Sequence, residues 1–375
     1  MGSVSVRPVE SPRDLEAFIR FPRSIYLGRY RQWVPPLLAE ERKRFDRSEH
    51  PFFEHGEAQL FLAFRDGRPA GRIAAIENRL HNEFHEDRVG FFGFFETIAE
   101  SDVAHALVDA AADWCRARGF TSLRGPANYS TNETCGLLVD GFEDPPTILM
   151  PYNPPYYEPL LECAGFRKAK DLLAHRADIG NFHIERINRL LERALARNEG
   201  VRVRPVNLKR FGDEVRIIRD IYNAAWEKNW GFVPMTDAEI DKLAHDLKPV
   251  VEPKLVCIGE VEGRSAGFAL ALPDVNQAIR HANGRLWPFG LLKVLWHMRK
   301  IDRMRVIALG LRPEYRRSGL DGLLYRQLFQ AGVEEGLPRG ESSWILEDNH
   351  AMQRALERTG FSLYKTYRMY EKDLA

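Results

Sequence analysis

Cysteine is scarce in this chain. Cys115, Cys135, Cys163 and Cys257 are scattered through 375 residues without a CxxC pair, so the spacing writes neither a disulfide framework nor a thiolate zinc site. A charge bias is missing too. Lys and Arg number 54 against 53 Asp and Glu, a formal charge of +1, and without a net field nucleic acid is not expected as the main partner. Long apolar runs are also lacking: the most apolar window, Leu286 to Met298, is interrupted by Pro288, Lys293 and His297 and is too short to span a bilayer. No charged-then-apolar stretch of secretion-signal type opens the sequence, which leads us to expect a reduced, cytoplasmic protein without a transmembrane segment. What is present, 44% hydrophobic and 29% charged residues over a length sufficient for two domains, suits a soluble globular protein with a sizeable core.

The sequence repeats itself. VRPV at Val6 to Val9 returns at Val203 to Val206, and Ile25-Tyr26 returns at Ile221-Tyr222. GRPAG at Gly67 to Gly71 returns as GRSAG at Gly263 to Gly267, and Gly165-Phe166 returns at Gly360-Phe361. Four matches in one order at a nearly constant offset indicate a tandem duplication. Each half reads as a short strand, helices with apolar residues at three-to-four spacing, a hairpin turning on a charged residue plus Gly, a strand, a helix, a strand and a last helix closing on Gly-Phe before terminal strand material. The expected fold is α/β (α+β), two tandem domains each with a mixed, mostly antiparallel sheet flanked by helices. The expected division is 1–180, a helical linker at 181–200 centred on Ile184 to Glu199, and 201–375. The halves differ by two inserts, one from Tyr129 to Pro151 and one around Trp287; loops of that length are commonly functional.

Residues 311 to 329, LRPEYRRSGLDGLLYRQLF, place a strand end, two arginines and a glycine turn before a helix. Free N–H groups and the positive end of the helix dipole then meet at one point, which suits a phosphate. On its own the turn could equally be a charged lead-in to an ordinary helix. With Arg316-x-x-Gly319 followed by a helix, a strand and NHAMQRALERTGF, Asn349 to Phe361, the second half resembles the GNAT superfamily of acyl-CoA-dependent N-acyltransferases. NWGFVPMT at Asn229 to Thr236, ESSWILEDN at Glu341 to Asn349 and FFGFFE at Phe91 to Glu96 resemble, more narrowly, a bacterial two-domain group that includes the ceramide synthases of sphingolipid synthesis.

The resemblance implies an acyl-CoA or acetyl-CoA donor, with an acyl carrier protein as the other thioester carrier. The pantetheine arm would lie along Val306 to Leu311, bonded to backbone around Leu309 and Leu311, and the phosphates would meet Arg316, Arg317, Ser318, Gly319, Leu320, Asp321 and Gly322, with Asn349 nearby. Only the second half carries such a loop, so one donor site is expected. Two positions depart from the family pattern. Asp321 stands where a small residue is usual, read here as the cap of the following helix with Arg316 and Arg317 as counter-charges. Leu356 stands where many members carry a Tyr general acid.

Acyl transfer to an amine needs a neutral nitrogen at the thioester carbonyl, a donor for the oxyanion and a base. Glu347 or Glu341 is the expected base, with capping of the last helix as the competing role for Glu347 to Asn349; Glu96 is a comparable carboxylate in the first half. Trp226, Asn229, Trp230 and Phe232 would line the acceptor pocket unless they are core. NYSTNE at Asn128 to Glu133 and YNPPYY at Tyr152 to Tyr157 suit a polar headgroup or plain turns. The stretch 286–301 is the segment that would meet the inner face of a membrane, wall an acyl tunnel, or lie buried. In HNEFH, His81 and His85 lack a third ligand and a clear helix, so no metal is expected. The acceptor is expected to be a small-molecule or lipid amine such as a sphingoid base. A non-catalytic acyl-CoA sensor and an aminoacyl-tRNA-dependent transferase are the alternatives.

Overall fold

The structure, a computed structural model, describes residues 2–178, 180, 185, 188, 200–316 and 318–374. The first repeat runs β1 (Val4–Pro8), α1 (Pro12–Tyr26), α2 (Leu38–Arg44), β2 (Gly56–Arg65), β3 (Arg68–Asn78), α3 (Arg79–His85), β4 (Val89–Thr97), α4 (Ser101–Ala117), β5 (Ser122–Gly125), β6 (Leu137–Asp140), α5 (Tyr157–Cys163) and β7 (Arg167–Asp178). The second runs β8 (Val201–Pro205), α6 (Phe211–Trp226), α7 (Asp237–Leu247), β9 (Val256–Val261), β10 (Arg264–Pro273), α8 (Gly290–Met298), β11 (Arg303–Leu311), α9 (Leu320–Glu334), β12 (Arg339–Leu346), α10 (His350–Arg358) and β13 (Ser362–Asp373). The mixed, mostly antiparallel architecture expected from the repeat is present in both halves. The helix expected over Ile184 to Glu199 lies largely outside the described residues.

Local chemistry explains why the halves fold alike. Each hairpin turns on two residues with positive φ, Asp66 and Gly67 in one (50° and 73°), Glu262 and Gly263 in the other (50° and 77°). That is the type I′ pattern whose twist matches the flanking strands. In α1, Ser11 caps the first turn by accepting the Asp14 N–H, and Pro12 opens the helix, an arrangement that uses amides the helix would leave orphaned.

The chain divides into two compact units. The first comprises Met1–Leu172 with Ala278–Trp296 and Lys365–Ala375, the second Leu173–Gln277 with His297–Tyr364. In the first, β1 to β4 pair antiparallel in order, β5 lies parallel to β4, and the end of β13 runs antiparallel to β5 and β6. The early insert thus supplies β6 as well as loop. The core of this unit is the inner face of α4, with Val103, Leu107, Ala111 and Cys115, against Ile73, Ala75, Phe92 and Tyr370. In the second unit, β8 to β11 pair antiparallel in order and β12 lies parallel to β11. There Leu320, Leu324, Leu328 and Ala331 of α9 cover Leu255, Cys257 and Ala269.

Because the end of β13 is a working strand of the first unit, a chain ending at Tyr364 leaves β5 and β6 without their partner and removes the fully buried Tyr367, Met369 and Tyr370. At about 2 kcal/mol per buried side chain, the loss rivals the whole stability of an ordinary domain. We expect urea unfolding of the truncated chain to lose its cooperative first-unit transition; an unchanged midpoint would separate β13 from that unit.

Candidate functional site

The second unit opens a gap in its own sheet. β11 and β12 pair in parallel from Arg303–Arg339 to Val306–Ser342, and beyond those residues β11 keeps, among the described residues, its antiparallel partner β10 alone. A bulge at Ile307 of β11, opposite Leu270 and Ala271 of β10, accompanies the parting. Arg312 N–H donates to Ala266 O on β10. Strand amides alternate between edges, so the N–H groups of Leu309 and Leu311 face the opposite edge, which β12 has left. These are the two residues named from the sequence as backbone donors.

The strand delivers the chain to the glycine turn. Gly319 has φ 81° and occupies the N-cap of α9 without a side-chain cap. Ser318 Oγ donates to Tyr315 O at 2.8 Å and accepts the Leu320 N–H at 3.3 Å. Leu320 is fully buried and pins the turn to the hairpin; a Cβ on Gly259 would stand 2.5 Å from its Cδ1, and one on the GRSAG glycine Gly267 would stand 3.0 Å from Gly310 O and 3.3 Å from Leu320 Cδ2. The expected role of Asp321 is corrected: Gly319 is the cap, and Asp321 is the second residue of the helix, exposed in its first turn. A carboxylate there is favoured by the helix dipole, and in water it repels a phosphate 5 Å away by only about 1 kcal/mol. Gly322 follows in the same turn. Arg316 donates to the Ala225 carbonyl at the end of α6 at 3.0 Å, so it clamps a helix end as well as flanking the turn. Arg317 lies outside the described residues.

The two candidate bases differ in setting. Glu341 is buried on β12, where it accepts from Ser343 Oγ at 2.6 Å and from the Tyr364 hydroxyl, with Arg305 Nε 3.8 Å away. Arg305 is itself buried and donates to Ser343 Oγ and O. Glu347 lies just past the strand end and is half-buried, and its backbone carbonyl accepts from Gln353. Asn349 caps α10 by accepting the Met352 N–H at 3.2 Å. Leu356 sits in a core with Ile345 and Phe361.

Among the aromatic candidates, Trp226 lies across β11: a Cβ on Gly310 would stand 2.3 Å from its ring. It stacks on Tyr222 at 4.8 Å. Asn229 and Trp230 are half-buried beside it, while Phe232 is 5% exposed and belongs to the core. An apolar cavity of ≈ 450 Å³ in this unit, lined by Met304, Leu328, Phe329 and Phe361, lies at the opposite end of the strands from the gap.

The first unit carries a polar cavity that sequence reasoning foresaw only in part. β4 and β5 also part early, pairing only from Val89–Ser122 to Phe91–Arg124. There the Phe94 N–H is taken by Asn128 Oδ1 at 2.7 Å. A solvent-open cleft of ≈ 470 Å³ follows, lined by Glu96, Tyr26, Arg72, Thr134, Tyr152 and Tyr157 among others. Tyr26 and Tyr157 hydroxyls both donate to Glu96 Oε2 at 2.7 Å, and the Arg72 guanidinium lies 3.9 Å from Oε1. Burial raises the Glu96 pKa, opposed by Arg72 and the two phenols. The repeat shows what changed: Gly71 faces Thr97 and Gly267 faces Leu311, so Glu96 and Arg72 occupy the places of Gly310 and Phe268, and Tyr26 that of Tyr222. Asn128 and the tyrosines of YNPPYY thus serve both turns and a cavity.

HNEFH is helical after all, within α3, capped by Asn78. The His81 and His85 rings lie 4.4 Å apart, and desolvation lowers the His81 pKa to about 3. Among the described residues no three His, Cys, Asp or Glu side chains converge on a metal position.

The profile of the acetyltransferase (GNAT) family matches residues 215–361, which include the gap and the turn. The sequence is 39% identical over 380 residues to the bacterial ceramide synthase of Caulobacter vibrioides (strain NA1000 / CB15N), spanning 100% of this chain and 98% of that protein. It is 35% identical to protein YghO of Escherichia coli (strain K12), spanning 98% of this chain and 95% of that protein. Among solved structures, a tandem GNAT protein from the clavulanic acid biosynthesis pathway matches with a TM-score of 0.57 at 10% identity, over 100% of this chain and 99% of that one, a likeness of fold alone.

The Glu96 setting generates a pH prediction. With its pKa raised on folding, Glu96 holds a proton to higher pH in the native state than in the unfolded chain, so its contribution to stability is complete below the ordinary value of 4.5 and is lost as pH rises through the folded value. We expect the unfolding free energy of the native chain, relative to Glu96→Gln, to fall as pH rises above 4.5 in urea titrations. A difference that stays flat would show the carboxyl to be solvated.

Proposed function

The chain belongs to the GNAT family and is an acyltransferase, and on that premise we propose that it moves an acyl group, long-chain in the reading we favour, from a thioester to the amino group of a lipid such as a sphingoid base. The observation that carries the proposal is the parting of β11 from β12, with the Leu309 and Leu311 amides turned toward the gap and the strand running into the Gly319 turn. The family binds acyl-CoA, and we propose a coenzyme A thioester as donor, with an acyl carrier protein, whose arm bears one phosphate, as the second source. Its phosphate would be met by the first-turn amides at Asp321 and Gly322 together with Ser318, Arg316 and Arg317, and Asn349 would flank the arm from the start of α10. The ceramide synthase name of the Caulobacter relative supports the lipid amine.

In this reading the neutral amine nitrogen attacks the thioester carbonyl carbon, the oxygen takes negative charge beside the Leu309 or Leu311 N–H, and the C–S bond breaks as the amide forms. The amine proton leaves through a carboxylate, directly or by way of water, and the thiol departs protonated. We assign the base to Glu347. Glu341, engaged by Ser343, Tyr364 and Arg305, is better suited to holding β12 in place. Trp226, Asn229 and Trp230 are the proposed acceptor wall, with Phe232 supporting them from the core.

Two measurements test this. Arg316→Glu should lower kcat/KM for the thioester by about 100-fold or more, since it replaces a charge-assisted contact with repulsion; an unchanged rate in a variant with native unfolding behaviour would sink the donor site. Glu347→Gln should reduce kcat by on the order of 10²- to 10⁴-fold. If Glu96→Gln lowers kcat that far and Glu347→Gln does not, the base belongs to the first unit.

A further inference from the structure

The segment between β10 and β11 is exposed where apolar residues would ordinarily be buried. Trp287 is 85% exposed, Phe289 68%, Leu291 49%, Leu292 63%, Leu295 56% and Trp296 63%. Leu286 adjoins them, and the remaining exposed large hydrophobic residues among those described are scattered singly along the chain, which is normal for a soluble surface. Here six fall within ten consecutive positions, and a contiguous patch of that kind marks an interaction surface.

The patch is mounted on the first unit rather than hanging from it. Leu38 N–H donates to Gly284 O at 3.0 Å, Arg23 donates to Asn283 O and Oδ1, and Arg280 donates to Arg31 O at 2.7 Å. Ala282 and Gly290 are buried beneath it. On α8 the exposed Leu291, Leu292, Leu295 and Trp296 share one arc of the helix, while Val294 and Met298 on the inward side are half-buried. The helix therefore presents its apolar arc outward, the reverse of a helix on a protein core.

Charge says what covers it. No Asp or Glu occurs between Asp274 and Asp302, although acidic residues number 53 in 375, and the same interval carries Arg280, Arg285, Lys293, Arg299 and Lys300. Lys293 and Arg285 are exposed beside the apolar arc. A protein partner would call for no such one-sided rule, whereas an anionic bilayer attracts every one of those cations, lets Lys and Arg stems lie along the headgroups, and accepts Trp at the boundary between acyl chains and water. No described helix is long and apolar enough to cross a membrane, so the segment can lie on a bilayer without spanning it.

We propose that the loop from Leu286 to Phe289 and the outward arc of α8 dock the protein on anionic lipid bilayers, with Trp287, Phe289 and Trp296 entering the interface and Lys293 and Arg285 contacting headgroups. The inference does not rest on the acyltransferase reading, because it is read as binding in the absence of any substrate.

The full chain should sediment with vesicles of phosphatidylcholine and phosphatidylglycerol, and less with phosphatidylcholine alone. The triple variant Trp287→Ser, Phe289→Ser, Trp296→Ser should lower partitioning by about 100-fold. Lys293→Glu should lower it by about 5-fold on the anionic vesicles only. All the altered side chains are exposed, and an unchanged urea midpoint verifies that each variant is folded. Failure of the native chain to bind either vesicle, or native-like binding by the triple variant, overturns the proposal. So does a native dimer in sedimentation velocity that ignores vesicles and dissociates in the triple variant, which would assign the patch to a second copy.

Discussion

A backbone amide inside a protein must find an acceptor, and the second unit is arranged around two that a sheet would ordinarily satisfy. β12 stops pairing with β11 after Val306 and Ser342, yet β11 continues to Leu311 in register with β10. An unpaired buried N–H costs free energy comparable to a lost hydrogen bond, and side-chain contacts fix the strands around the opening. Several are visible. Arg305 reaches from β11 to the Ser343 hydroxyl and carbonyl, Trp226 lies over Gly310, and Leu320 locks the turn onto the hairpin. The parallel ladder thus ends partway along β11, and it is along the remainder of that strand that we propose the thioester arm lies.

The duplication shows how one scaffold can diverge. Both units share a bulged strand beside the hairpin, the early end of the parallel pair and the type I′ turn. In the first, however, the amide of Phe94 is bonded to Asn128, and a carboxylate and an arginine fill positions that hold Gly310 and Phe268 in the second. One unit keeps backbone groups exposed; the other answers them with its own side chains and buries charge instead. Buried charge is expensive unless paired and hydrogen-bonded, and Glu96 has both kinds of partner, which explains how the cluster can exist without explaining it away.

Much of this was legible in the residues. Period-two and three-to-four patterns, punctuated by Asp66-Gly67 and Glu262-Gly263, located the strands, helices and hairpins, because those signals are local. The glycine turn was legible for the same reason. The capping of α9 was misjudged since Asp is a good cap in general, and only the three-dimensional path shows the cap two residues earlier, at Gly319. Tyr26, Arg72 and Tyr157 were not assembled with Glu96, as their meeting depends on cross-strand register and on α1 packing, neither of which is local. A signal existed nonetheless: Arg72 interrupts an apolar strand, GRIAAI, as Glu96 interrupts FFGFFE. Phe232 was drawn to the site by its neighbours although its burial makes it core. The exposed apolar arc of α8 could not be told from a buried helix by pattern alone, since amphipathicity does not say which side faces inward.

The return of the last strand to the first unit has a consequence for biogenesis. A nascent chain emerges from its amino end, and the first half can build α1, the β2–β3 hairpin and α4 as soon as they leave the ribosome. It cannot close its sheet, because β5 and β6 await β13, which is translated after the rest of the second repeat. Until then their edges toward β13 are open and the sites destined for Tyr367, Met369 and Tyr370 are unfilled, so completion of the first half waits on translation of the second, and a chain interrupted before β13 leaves behind an amino-terminal half with open strand edges for chaperones and proteases to find.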